Sequence, residues 1–155
     1  MSTATTQEQD MSINHEKIDT LKFVKLKIPE LIPYDLIEGV KGRTFTPEQF
    51  YKYQKAQVSN PYNYLYALID EHNMIHGYLW AEMNTLDGSL FINTFSINKE
   101  YWGKGKAIPK LITFLKELKT RIKATRVFWC TTNEKFFIKN GFKRSKISLM
   151  EYNLD

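Results

Sequence analysis

The chain has 155 residues, 43% of them hydrophobic and 14% aromatic, with a formal net charge of +5. That length suits one domain with its own core and is short for two, and the composition excludes a disordered chain. No apolar run approaches the ~20 residues needed to cross a bilayer, and the polar opening from Met1 to Asp10 does not read as a secretory signal.

The single cysteine, Cys130, excludes an internal disulfide and fits a reducing compartment, so the cytoplasm is the expected location. Charge is unevenly spread. Residues 61–98 carry four carboxylates and no Lys or Arg, whereas residues 99–126 carry nine Lys or Arg against two carboxylates. Three readings of that basic stretch stay open: a solvated helix face, attraction for a phosphorylated cofactor, and nucleic-acid binding. No readout motif supports the third.

Residues 1–20 lack any periodic pattern and read as a mobile tail, leaving 21–155 as a single domain. Leu21 to Ile28 reads as a first strand closed by Pro29. A short helix follows between Leu31 and Val40, interrupted by Pro33 and closed near Gly39 or Gly42. Thr46-Pro47-Glu48-Gln49 is a helix start, with Thr46 as N-cap, Pro47 at the first helical position and Gln49 completing a capping box. Phe50, Tyr53, Gln57 and Val58 would line one face of that helix. Tyr64 to Glu71 and Ile75 to Asn84 form a hairpin, and Asp87-Gly88 turns the chain into another strand, Ser89 to Asn98.

Next comes Tyr101-Trp102-Gly103-Lys104-Gly105-Lys106-Ala107-Ile108, a loop with two glycines that opens a helix. Helix N-termini present unpaired N–H groups and partial positive charge, and glycines let a phosphate approach the backbone. The stretch therefore reads as an anion site. Ile108, Leu111, Ile112, Leu115, Leu118 and Ile122 follow the spacing of a buried helical stripe, and Pro109 is tolerable in its first turn. Thr125 to Thr132 reads as an apolar strand that buries Cys130, and Asn133 to Asn140 as a short helix capped by Gly141. Phe142 would lead into a last strand or strands ending at Leu154.

The order β-α-α-β-β-β-loop-α-β-α-β resembles the GNAT-type N-acetyltransferase superfamily, a mixed, mostly antiparallel sheet flanked by helices. Trp102-Gly103-Lys104-Gly105-Lys106-Ala107 is similar to that family's Arg/Gln-x-x-Gly-x-Gly/Ala loop, with Trp102 in the usual Arg/Gln place. Phe137-Ile138-Lys139-Asn140-Gly141-Phe142 is similar to its Tyr-x-Lys-x-Gly-Phe ending, with Phe137 in the place of tyrosine. Ile75-His76-Gly77-Tyr78-Leu79 resembles its hairpin strand. The resemblance spans residues 21 to 154.

It implies transfer of an acetyl group from acetyl-CoA to a primary amine, on a small molecule or a protein, by direct attack in a ternary complex. The backbone of Phe95, Ser96 and Ile97 would hold the pantetheine arm and thioester. The N–H groups from Gly103 through Lys104, Gly105, Lys106 and Ala107 to Ile108 would hold the pyrophosphate. Lys104 and Lys106 are either phosphate contacts or exposed loop lysines, and Asn133 either touches the cofactor or caps its helix. The usual general-acid tyrosine position holds Phe137. Glu82 is the candidate base, against the reading of a solvent-facing strand residue; His72 reads as exposed, and His76 either as a base or as a structural strand histidine. No metal is expected, because no ligand spacing is present. A GNAT-fold protein without catalysis, serving as a CoA-binding or interaction module, is the rival reading, and the chain could pair as a homodimer.

Overall fold

The structure is a computed structural model, and it describes residues 18–40, 42–102, 105–131 and 134–154. Its centre is a five-stranded sheet in the order β1-β2-β3-β4-β5, comprising β1 (Lys22–Lys25), β2 (Asn63–Ile69), β3 (Ile75–Asn84), β4 (Ser89–Ile97) and β5 (Arg126–Trp129). The first four strands pair antiparallel, and β5 lies parallel to β4. Parallel neighbours need a crossover, which the helix α3 (Ala107–Ile122) supplies.

Both faces of the sheet are covered. On one side α3 buries Leu111, Phe114, Leu115 and Leu118 against Tyr64, Tyr66, Leu79, Ala81, Leu90 and Ile92. On the other, α1 (Tyr34–Glu38) and α2 (Pro47–Ala56) bring Leu36, Ile37 and Phe50 onto Leu65 and Tyr78. The period-2 alternation of β2 and β3 divides the residues between these faces, which is why both strands read as almost continuously apolar. A short helix α4 (Glu134–Lys139) follows β5, and Gly141 leaves it at φ +93.

Thr46 caps α2 as the capping box predicts: Gln49 N–H donates to Thr46 Oγ1 at 3.1 Å, and Thr46 N–H donates to Gln49 Oε1 at 2.8 Å. The buried stripe of α2 differs from the expected one, however. It consists of Phe50 and Gln54, while Tyr53 and Val58 stand 39% and 49% exposed. Gln54 is drawn inward because Asn63 Nδ2 donates to its Oε1 at 2.9 Å, while Asn63 Oδ1 accepts from Trp80 Nε1 at 2.8 Å.

Two further differences lie at the C-terminal side. Cys130 is exposed, because β5 ends at Trp129 and the chain leaves the sheet there. The strand expected between Phe142 and Leu154 is not formed. The Arg144 guanidinium of that segment bonds Glu134 on α4.

Candidate active site

The site begins where two strands part. β5 pairs with β4 only from Ser89↔Arg126 to Ile92↔Trp129, while β4 runs on to Ile97. At the point of parting the β3–β4 register slips: Trp80 faces Thr94, but Ala81 faces Ile92, so Asn93 is an extra residue. Such a bulge bends a strand and re-aims its side chains. Leu90 and Ile92 pack beneath α3 before it, and Phe95 does so after it.

Beyond the bulge, the edge of β4 that β5 has left pairs with no other strand among the described residues. Asn98 N–H donates to the His76 carbonyl at 2.8 Å, toward β3. Antiparallel backbone alternates, so the N–H and C=O groups of Ile97 and Phe95 turn to the free edge and those of Ser96 turn to β3. The Ser96 hydroxyl donates to the Leu36 carbonyl at 2.7 Å, anchoring β4 to α1. Of the three backbone positions expected on a ligand, Phe95 and Ile97 therefore face the opening. The Ile97 carbonyl already accepts a bond of 2.9 Å from Trp102 Nε1.

The free edge opens into a cleft of about 580 Å³ whose walls include Phe95, Ile97, Tyr101, Trp102, Ile108 and Phe136. Gly105 and Ala107 border it as well, at the start of α3. Its N-cap residue, Lys106, makes no side-chain capping bond. First-turn N–H groups such as those of Ala107 and Ile108 lack an intrahelical acceptor, and Pro109 has no N–H to offer. Gly105 sits at φ +68, a conformation that favours glycine, and a Cβ built there would meet nothing within 4 Å. The turn at Gly105 thus favours glycine and has open space at its Cβ position. The Lys106 ammonium lies 3.3 Å from Asp19 in a separate groove between α3 and β1. Gly103, Lys104 and Asn133 lie outside the described residues.

On the opposite face of the sheet, beside the bulge, Glu82 receives two hydrogen bonds. Tyr53 Oη donates to Oε2 at 2.7 Å, and Asn93 Nδ2 donates to Oε1 at 2.7 Å. Both partners are uncharged, so they orient the carboxylate without neutralising it. The bond to Glu82 and then burial push the Tyr53 hydroxyl up to about 12, which keeps it a donor across the physiological range. From sequence Tyr53 reads as part of an aromatic acceptor wall or of the core, and Asn93 only as a strand residue; neither sequence reading includes a bond to Glu82. Their distances along the chain from Glu82, 29 and 11 residues, carry no local signal. Among the tyrosines around the hairpin, Tyr64 and Tyr66 belong to the core, whereas Tyr53 and Tyr62 stand at the surface.

Phe137 turns its ring edge-on to Trp129, Phe136 and Phe142, so that position is apolar in its surroundings as well as in its side chain. The residues of α4 that line the cleft are its neighbour Phe136 and, near the end of the helix, Lys139. His72 is exposed, and His76 Nε2 lies 2.8 Å from Asp70 Oδ2, outside the cleft. Among the described residues no group of three or more His, Cys, Asp or Glu side chains could hold a metal ion, and no helix is long and apolar enough to cross a membrane.

No family model and no curated protein matches the sequence. Solved structures do match the fold. A possible acetyltransferase from Clostridium difficile 630 superposes with a TM-score of 0.67 at 12% identity, over 88% of this chain and 99% of that one. A mutant of the spermidine N-acetyltransferase SpeG from Vibrio cholerae gives a TM-score of 0.67 at 15% identity, over 82% of this chain and 81% of that one. AAC(6')-Iy in complex with a CoA-S-monomethyl-acetylneamine bisubstrate analogue gives 0.64 at 10% identity, over 86% of this chain and 97% of that one. The chain has the GNAT-type fold.

Proposed function

We propose that this protein transfers an acetyl group from acetyl-CoA to a primary amine. The observation that carries the reading is the coincidence, at one point of the sheet, of the β4–β5 parting, the Asn93 bulge and the Glu82 carboxylate. The free edge at Phe95 and Ile97 fits an extended, amide-bearing arm. The open glycine turn at Gly105 with the N–H groups of Ala107 and Ile108 fits a pyrophosphate. The CoA-conjugate bound to the AAC(6')-Iy neighbour supports the same reading.

When bound, acetyl-CoA supplies the acetyl group as a thioester. Phe95 and Ile97 would align the arm along β4, leaving the acceptor to approach from the face covered by α1 and α2. Glu82 would take a proton from the acceptor ammonium, with Tyr53 and Asn93 fixing the carboxylate. The amine nitrogen would then form its bond to the acetyl carbon as the carbon–sulfur bond breaks, shedding its second proton to water. Phe137 carries no hydroxyl, so the departing thiolate would take its proton from that water. Holding amine and thioester in attack geometry contributes most of the acceleration. The acceptor can be a small molecule or a protein.

Release of free CoA thiol, followed with acetyl-CoA against a panel of polyamines, aminoglycosides, amino sugars and lysine peptides, tests this. Amine-dependent release supports transfer. Tight CoA binding without release across the panel would favour a binding module, a reading that the apolar surroundings of Phe137 keep open.

A further inference from the structure

We infer that Trp102 is a binding residue for the pantetheine arm of the cofactor. The inference rests on the acetyl-CoA reading above and deepens it. Trp102 is 53% exposed, an unusual cost for an indole unless its surface is used. Its placement is fixed at two points. Nε1 donates to the Ile97 carbonyl at 2.9 Å, on the free edge of β4, and the Lys99 ammonium lies 5.9 Å from the ring centroid. The ring also lines the cleft, across from Phe136 and Ile108.

Two consequences follow for a ligand. The Ile97 carbonyl is occupied, so an extended arm pairing with β4 finds its free acceptor at Phe95 and ends its ladder at the indole. The ring then offers an apolar wall beside that ladder, suited to the branched dimethyl carbons of a pantetheine arm and unsuited to a phosphate. Trp102 thereby sets where along β4 the arm stops and where the charged part of the cofactor begins, next to Gly105.

The test compares wild type, Trp102→Ala and Trp102→Phe as full chains, using calorimetry with CoA, pantetheine and adenosine bisphosphate, and tryptophan fluorescence. Circular dichroism checks that each variant is folded. In wild type CoA shifts the emission, and Trp102→Phe loses the part of that shift that comes from Trp102, while Trp129, whose ring lies 6.3 Å from that of Phe95, keeps its own. Trp102→Ala weakens CoA roughly tenfold and pantetheine to the same degree, while adenosine bisphosphate binds as before. Trp102→Phe, keeping a ring without the donor, falls between. Unchanged or tighter CoA binding by Trp102→Ala overturns the inference, as does a loss confined to the nucleotide fragment. Absence of CoA binding to wild type overturns the cofactor reading itself.

Discussion

Asn93 and Glu82 meet across the β3–β4 ladder although regular pairing puts Phe91 opposite Glu82. The extra residue at the bulge turns Asn93 onto the α1–α2 face, where its amide donates to Glu82 Oε1 at 2.7 Å. The bulge at the point of parting thus also orients the Glu82 carboxylate. Glu82→Gln should keep the fold and lower kcat by about 100-fold with KM for acetyl-CoA nearly unchanged. Steady-state kinetics on the best acceptor check this, and an undiminished kcat would remove Glu82 from the mechanism.

Tyr53 offers a pH test of the same cluster. Its hydroxyl is raised from 10.0 to about 12 in the folded chain, first by the bond to Glu82 and then by burial. The folded state therefore holds this proton where the unfolded state has released it, so the stabilisation is complete below pH 10 and is lost as pH rises toward 12. Urea unfolding across that window should show a shallower decline of stability for Tyr53→Phe than for wild type.

Asp70 makes the complementary case in acid. His76, followed by the N–H of Met74, lowers its carboxyl from 3.8 to about 2. A depressed carboxyl contributes stability above its unfolded value and loses it as pH falls through the folded one. Between pH 4 and 2 the wild type should lose stability that Asp70→Asn never had, so the two denaturation curves should converge at the acid end. Parallel curves would show that the pair contributes nothing.

The buried relay from Trp80 through Asn63 to Gln54 should be costly to break. Asn63→Ala leaves both partners without their bonds in a buried site, and about 2 kcal/mol of stability should be lost. Chemical denaturation measures it, and a loss below about 0.5 kcal/mol would mean that water replaces the amide.

Much of this fold was legible because it is encoded locally. The capping box at Thr46 and Gln49, the stripe from Leu111 to Leu118 and the glycine turn at Gly105 each declare themselves within a few residues. The relationships that make the site do not. An extra residue at Asn93 leaves no mark in a strand of alternating character, yet a one-residue slip changes which face every later side chain takes. The burial of Gln54 needed a partner, Asn63, on another element, and Tyr53 needed Glu82. Cys130 read as buried because Val127, Phe128 and Trp129 precede it, but the strand stops one residue earlier. The exposed apolar residues Leu149, Met150, Tyr152 and Leu154 read as a strand because their composition is right for one, while the edge they would join is only four residues long.

The central claim is that the cleft between the parted strands, with its glycine turn, holds acetyl-CoA. Calorimetric titration of acetyl-CoA into wild type and Gly105→Glu tests it most directly. A Cβ at this position meets no protein atom within 4 Å, and the glutamate carries negative charge where the pyrophosphate would lie; holding a non-glycine residue at φ +68 costs about 1 kcal/mol of stability. Saturable one-to-one binding by wild type, absent from a Gly105→Glu variant that remains folded, is the predicted result. No heat with wild type at about millimolar cofactor, or equal affinity in the variant, would contradict the account.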